Sequence, residues 1–183
     1  MSAFDEAKKV EARSLEILTP FIRARSNGGQ FILIEKGRLA LELQRQIGDA
    51  AFNARDGVLW TVEVKAEEEN KYGNFFLETW SNRARYTMGW MVTLNSDLLL
   101  YHFLKSDELY VMNFQNLKRW AWWERRIYRY PEREQGKREQ LNDTWGRCVP
   151  ISVISREVGF RRFIASTGEP YHARVETAVE VAA

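Results

Sequence analysis

Residues Gly48 to Lys65 have the sequence GDAAFNARDGVLWTVEVK, and the rest of the chain is interpreted around them. At the centre of this stretch, Asp56-Gly57 predicts a tight turn, because glycine adopts positive φ without a steric penalty and aspartate tolerates it. The arm from Val58 to Lys65 is rich in β-branched and aromatic residues, as is typical of a strand. The stretch therefore predicts a β-hairpin with Asp49 near the open end of the first arm.

The charged residues of this hairpin predict a polar site. Side chains alternate along a strand, so Val62 and Val64 point to one face while Glu63 and Lys65 point to the other. Pairing of the two arms brings Asp49 close to Glu63 and Lys65. Two carboxylates repel each other unless a cation lies between them, and hard oxygen ligands of this kind suit Mg²⁺. The alternative is a solvated, charged strand face.

The spacing resembles a known motif. Gly48-Asp49, thirteen residues and then Glu63-Val64-Lys65 resemble the core of the PD-(D/E)XK nuclease superfamily. Gly73 to Glu78, GNFFLE, is similar to a Gly-Asn-x-x-x-Glu strand of bacteriophage and bacterial members, and the similarity continues through Trp90 to Phe103. It covers roughly the first two-thirds of the chain. Gly48 stands where the superfamily's name has proline.

The resemblance implies a fold and an activity. The fold is α/β, a restriction-endonuclease-like core with a mixed central β-sheet flanked by helices. The activity is that of a metal-dependent endonuclease hydrolysing phosphodiester bonds in DNA. Asp49 and Glu63 bind Mg²⁺, for which Mn²⁺ can substitute, and the carbonyl of Val64 is a third ligand. Lys65 orients or deprotonates the attacking water, and paired cuts on duplex DNA favour a homodimer.

Two further acidic residues are auxiliary candidates. Glu78 lies on a predicted strand from Asn74 to Trp80; if that strand pairs beside the Glu63 strand, Glu78 binds a metal water or orients the loop. Residues 3–25 predict an amphipathic helix with a break near Pro20, and its Glu11 is a candidate for the metal. Glu6 and Glu16 remain open as alternatives. A solvated or otherwise partnered side chain is the simpler interpretation of each.

The basic residues suggest where DNA binds. Lys118 to Arg138 contains eight basic and three acidic residues, an excess that attracts phosphates. The alternative is a solvated helix face. A helix predicted from Phe114 to Tyr128 cannot place its three tryptophans on one narrow stripe, and a tryptophan outside the stripe could stack on a base. Buried packing is the more frequent use of tryptophan and the favoured alternative. The residues predicted to contact DNA are Arg83, Arg85, Arg125, Arg126 and Arg129.

Composition sets the outer limits. The chain has 183 residues, 45% hydrophobic and 28% charged, which predicts one globular domain. Its core would span about residues 1–125 and an elaboration about 126–183. A lone Cys148 fits a reducing cytoplasm, and the sequence shows neither a secretory signal nor a membrane span.

Two other functions remain open. One is a catalytically silent nucleic-acid-binding module of the same fold, although the joint presence of Asp49, Glu63 and Lys65 argues against it. The other is a phage structural protein or an inhibitor of a host enzyme. Local patterns further predict strands at Gln30–Glu35, Leu98–Phe103, Glu108–Asn113 and Val149–Ile154, and a helix capped by Ser155.

Overall fold

A computed structural model describes residues 3–34, 38–135 and 143–171. The fold is mixed α/β, as predicted. Its helices are α1 (Ala3–Arg25), α2 (Arg38–Ile47), α3 (Trp90–Thr93), α4 (Phe114–Lys118) and α5 (Ile151–Glu157), with a π-helix at Arg119–Trp123 and a 3-10 turn at Arg126–Arg129. None of the described helices is long and apolar enough to cross a membrane.

The larger sheet has six strands in the order β1-β2-β3-β6-β7-β10. Neighbouring strands are antiparallel except β3 and β6, which run parallel and make the sheet mixed. The chain leaves β3 and returns as β6 after passing through the second sheet and α3. The strands are β1 (Ser26–Leu33), β2 (Ala50–Ala54), β3 (Leu59–Glu67), β6 (Leu98–Phe103), β7 (Glu108–Asn113) and β10 (Arg161–Ile164).

A smaller antiparallel sheet has the order β5-β4-β9-β8. The strand that carries Glu78, β4, belongs to this sheet and not to the larger one. The prediction that it pairs beside the Glu63 strand is therefore wrong, because β2 and β6 already occupy both edges of β3. The strands are β4 (Asn74–Asn82), β5 (Thr87–Met88), β8 (Glu132–Glu134) and β9 (Trp145–Pro150).

The predicted hairpin is confirmed. In β2 and β3, Ala50 pairs with Val62 and Phe52 with Trp60. The N–H of Gly57 donates to the carbonyl of Ala54 at 2.9 Å, and Gly57 has a φ of 81°. Glycine at this position gives the turn its left-handed backbone without steric strain.

The larger sheet separates two apolar clusters. On one face, Val62, Val64 and Leu100 pack against Leu18 and Ile22 of α1. The opposite face carries the next residues along the same strands. There Leu99, Tyr101 and Phe103 pack against Phe75 and Leu77 of β4. Because Glu63 and Lys65 alternate with the buried valines, they lie on this second face.

Two predictions near the N-terminus are wrong. Helix α1 runs without a break through Pro20. Pro20 and Glu16 are both exposed, so the carbonyl of Glu16, which loses its N–H donor, lies on the water side of the helix. The next strand begins at Ser26, not at Gln30. The register of β1 shifts between Ser26 and Phe31, and this irregularity absorbs two glycines with positive φ.

Three predictions in the second half are also wrong. The helix expected from Phe114 to Tyr128 is three shorter pieces, and it is interrupted at Arg125, which has a φ of 58°. The strand expected at Val149–Ile154 ends at Pro150, where α5 begins. Ser155 consequently lies inside α5 and not at its start. Strands β6 and β7 match their predicted bounds.

Candidate active site

Gly48 and Asp49 enter the site through a tight approach to β3. Gly48 has a φ of 92°, and a Cβ atom on it would lie 2.5 Å from both the Val62 carbonyl oxygen and Ser96 Oγ. Proline, whose φ is fixed near −65°, cannot adopt this conformation. The backbone at position 48 thus excludes proline.

The carboxylate of Asp49 is fixed by the backbone of β3. Its Oδ2 accepts the Val64 N–H at 2.8 Å, while the Asp49 N–H donates to the carbonyl of Val62 at 2.7 Å. Burial raises the pKa of Asp49, although Lys65 and the Val64 N–H oppose this rise. Asp49 is therefore held beside Glu63 on the same end of the hairpin, as the sequence predicts.

Glu63 and Lys65 form a close ion pair. Lys65 Nζ lies 2.5 Å from Glu63 Oε1, and Glu63 is only 3% exposed. Burial raises the pKa of Glu63 to about 8 despite the attraction of Lys65, and Asp49 adds to the rise. Burial disfavours the charged form of Lys65, but Glu63, Asp49 and Glu11 together raise its pKa and keep it protonated.

Glu11 and Glu78 complete an acidic surrounding. The charge of Glu11 acts on both Glu63 and Lys65, and Lys65 in turn acts on Glu78. Burial raises the pKa of Glu78, whose Oε1 accepts the Trp90 N–H at 3.3 Å. Both auxiliary candidates therefore lie within electrostatic reach of the site. Of the two alternatives to Glu11, Glu16 is exposed, and the side chain of Glu6 lies outside the described part.

Sequence reasoning missed the role of Gly89-Trp90 at the start of α3. A Cβ atom on Gly89 would lie 2.6 Å from the carbonyl oxygen of Glu78, so only glycine permits this close packing. Trp90 is buried, and its ring centroid lies 5.8 Å from Lys65 Nζ. The ring covers Lys65 and offers it a cation–π contact. A glycine directly before an aromatic residue was the available signal.

The candidate site combines several carboxyl groups with one ammonium group. Glu11, Asp49, Glu63 and Glu78 all lie within electrostatic reach of the ammonium of Lys65. Among residues 3–34, 38–135 and 143–171, no group of three or more His, Cys, Asp or Glu is arranged as a ready metal site. Mg²⁺ needs less than this, since one or two carboxylates, waters and a substrate phosphate satisfy it.

A cavity of about 520 Å³ opens along the end of β3, and its lining includes none of Asp49, Glu63 and Lys65. Glu67, which follows Lys65 on the same strand face, lines it together with Phe76, Arg133 and Cys148. The buried Tyr101 hydroxyl donates to Glu67 and accepts the Phe76 N–H at 3.1 Å. These hydrogen bonds fix Glu67 in the wall of the cavity.

The five arginines predicted to contact DNA differ in whether they pair with a carboxylate. Arg126 and Arg129 lie 3.5 and 3.3 Å from Glu157 Oε2, so their charge is partly neutralised. Arg83 stacks over Trp145 at 4.4 Å and reaches Glu132 at 4.0 Å. No ion pair is formed by either of the other two, Arg85 and Arg125, within the described part of the chain. The contributions of Lys137 and Arg138 lie outside the described residues.

No protein-family model matches this chain, and no curated protein matches it significantly. The functional assignment therefore depends on the geometry of the site itself.

Proposed function

We propose that the protein is a metal-dependent nuclease that hydrolyses phosphodiester bonds in DNA. The single observation that supports this most is the meeting of Asp49, Glu63 and Lys65 at one end of a hairpin, with Glu63 almost fully buried. Buried carboxylates are costly unless they are paired or bind a cation. Such a cluster is more typical of a functional site than of a stabilising ion pair.

The strand order supports a restriction-endonuclease-like core. Helix α1 precedes three antiparallel strands, and β6 then returns parallel to β3. Asp97 fixes this return, because its Oδ2 accepts hydrogen bonds from the N–H and hydroxyl of Thr61 at 2.9 and 2.8 Å. Glu63 and Lys65 thus lie on β3, which pairs with β2 and β6, and Asp49 is bonded to the same strand at Val64.

The donor set fits Mg²⁺ or Mn²⁺. Asp49 and Glu63 would hold the ion through hard carboxylate oxygens, and the Val64 carbonyl is the third donor that the resemblance implies. When bound, the ion polarises the scissile phosphate and lowers the pKa of a coordinated water. It would also supply the positive charge that the buried carboxylates lack.

Apart from the metal ligands, Lys65 is the residue to which we assign a direct part in the proposed reaction. The neighbouring carboxylates raise the pKa of Lys65, which favours its ammonium form, a hydrogen-bond donor. We therefore assign it to orienting the attacking water and stabilising the negative charge that develops on the phosphate. Trp90 and Glu63 restrict its motion to the mouth of the site.

The test is cleavage of linear, circular and branched DNA in Mg²⁺ or Mn²⁺. We expect Asp49→Asn and Lys65→Met each to lower the rate by at least about 10²-fold, as the loss of one charge-stabilising contact does. Asparagine can still accept the Val64 N–H, so the fold should persist. The matched control is Asp56→Asn, the same change in the exposed turn of the same hairpin.

Cleavage that persists unchanged in Asp49→Asn would exclude the proposal. If the wild-type protein binds DNA in a salt-dependent manner but binds neither metal ion in calorimetry, the silent binding module becomes the better description. Stable association with another protein and no affinity for nucleic acid would instead favour an inhibitor or structural role.

A further inference from the structure

The π-helix leaves one tryptophan in water. Its three tryptophans take different directions: Trp120 is buried and donates to Glu157 Oε2 at 2.9 Å. Trp122 is half-buried and donates to the carbonyl of Met91 at 3.0 Å. Trp123, by contrast, is 85% exposed. Trp120 and Trp122, which both precede Trp123, anchor this turn of the backbone, so the exposed ring is carried by a fixed support.

Arg125, two residues after Trp123, has an unusual backbone conformation. Its φ of 58° and ψ of 22° are left-handed values that a residue with a side chain rarely adopts. The guanidinium lies 5.7 Å from the centre of the Tyr128 ring, and that of Arg147 lies 5.2 Å from the same ring. Within the described residues Arg125 has no carboxylate partner, so its charge is available to a ligand.

The surrounding charge favours an anion. Arg119 to Arg129 contains four arginines and one acidic residue, Glu124. Two of these arginines pair with Glu157, whereas Arg119 and Arg125 are exposed and make no ion pair within the described part. Exposed aromatic rings and basic side chains that share one surface are the features by which proteins bind single-stranded nucleic acid.

This surface is physically connected to the candidate active site. Trp122 bonds to the carbonyl of Met91, which follows Trp90 in α3. Trp90 in turn lies over Lys65. Lys118, at the end of α4, also bonds to the carbonyl of Leu94 at 2.5 Å just beyond α3. Helix α3 thus contacts both the π-helix and Lys65.

We propose that Trp123 and Arg125 form a stacking platform for an unpaired base, so that the substrate is DNA with a single-stranded segment beside the point of cleavage. This inference rests on the proposed nuclease function and narrows its substrate class. A duplex hides the faces of its bases except at its ends, whereas a single strand offers each base for stacking. The guanidinium of Arg125 would contact the phosphate next to the stacked base.

The test measures binding without cleavage. Full-length protein carrying Asp49→Asn is titrated into labelled oligodeoxythymidine and into a blunt duplex of equal length, with chelator present. We expect tighter binding of the single strand. Adding Trp123→Ala should weaken single-strand affinity roughly tenfold, as the loss of one base-stacking residue does. Trp123→Phe should restore most of it, and the duplex affinity should change much less.

The controls are matched in residue type. Tyr171→Ala removes another exposed aromatic residue that carries an arginine over its ring, and it should change neither affinity. Arg125→Gln should lower the salt slope of single-strand binding by about 0.7, the value for one lost phosphate contact. The same change at the exposed Arg161 of β10 should leave that slope unchanged.

Three results would overturn the platform: no binding of the single strand, an unchanged affinity in Trp123→Ala, or equal losses for single strand and duplex. The nuclease proposal fails separately. Trp123-dependent binding by a wild-type protein that cuts no DNA would refute the nuclease and keep the platform. Cleavage that requires Asp49, together with DNA binding and cleavage that are unchanged in Trp123→Ala, would refute the platform and keep the nuclease.

Discussion

Strand β3 presents two faces that are filled in opposite ways. On the α1 face, Val62 and Val64 are fully buried and Leu100 is 2% exposed. On the other face the next residues along β3 are Glu63 and Lys65. One strand of alternating side chains thus separates an apolar core from a charged site by the thickness of a single sheet.

The difference shows what each face contributes. Burying an aliphatic side chain stabilises the fold by roughly 1.5–3 kcal/mol. Burying a carboxylate costs free energy unless hydrogen bonds or opposite charges compensate for the lost hydration. The raised pKa of Glu63 indicates that this compensation is incomplete. We therefore expect substitutions on the α1 face to lower stability and leave chemistry intact, and substitutions on the charged face to do the opposite.

The largest expected effect is on the apolar face. Leu100→Ala should lower the free energy of unfolding by about 3–4 kcal/mol, because it removes buried methyl groups and leaves a cavity. Denaturant unfolding measures this loss, and DNA cleavage per folded molecule should remain unchanged. Leu59→Ala, in the same sheet but 63% exposed, is the control and should shift stability by less than about 0.5 kcal/mol. Equal losses in both variants would contradict the division between the faces.

The boundary between the faces gives the next effect. Gly48→Ala places a Cβ atom 2.5 Å from the Val62 carbonyl oxygen in a backbone with positive φ, and it should cost about 3 kcal/mol. Gly57→Ala has similar φ, 81°, but open space around it, and it should cost about 1 kcal/mol. The difference between the two unfolding free energies isolates steric overlap from backbone strain. Similar costs would mean that the chain at Gly48 relaxes freely.

The hairpin was predictable from sequence because its signals are local. The Asp56-Gly57 turn and the alternation along β3 are sufficient to place Glu63 and Lys65 on one face. They also place Asp49 across the hairpin, close to these two residues. Glu11 and Glu78 could be named as candidates only from the resemblance. Their approach to Lys65 depends on how α1 and the smaller sheet pack, and no short-range pattern encodes that packing.

The segment from Phe114 to Arg129 was mispredicted for the same reason. Its residues favour a helix locally, but the indole groups of Trp120 and Trp122 bind Glu157 and Met91, which are distant in sequence. These tertiary contacts outweigh helix propensity and are accompanied by the π-helix and the left-handed Arg125. Strand β9 ends at Pro150, the residue before α5.

A smaller effect tests the charged face directly. Glu63→Gln should raise the free energy of unfolding by about 1 kcal/mol in chelator, because an amide avoids the desolvation of a buried carboxylate while Asp49 and Glu11 still balance Lys65. Cleavage should be lost. Adding Mg²⁺ should stabilise the wild type and not the variant, and Glu68→Gln in the exposed loop is the control. A loss of several kcal/mol would instead identify the pair with Lys65 as a structural ion pair.

The last effect concerns His102, which is buried on the apolar face. His102 Nδ1 lies 2.9 Å from Ser14 Oγ, and Nε2 is buried without a hydrogen-bond partner among the described residues. Burial lowers the pKa of His102, and Asp107, 3.9 Å from Nε2, opposes this only in part. The unfolded chain therefore binds a proton more readily than the folded protein.

The sign of the pH dependence follows from that difference. The contribution of His102 to stability is fully present above its unfolded pKa of 6.5 and is lost as the pH falls from there toward the folded pKa. The loss is at most about 1.4 kcal/mol for each pH unit. His102→Asn keeps a group that can bond to Ser14 but removes the titration, so its unfolding free energy should fall less between about pH 7.5 and about pH 5.5. His172→Asn serves as the control for histidine titration elsewhere in the chain. Equal slopes in wild type and His102→Asn would mean that the folded protein accepts the proton as readily as the unfolded chain, with Asp107 compensating for burial.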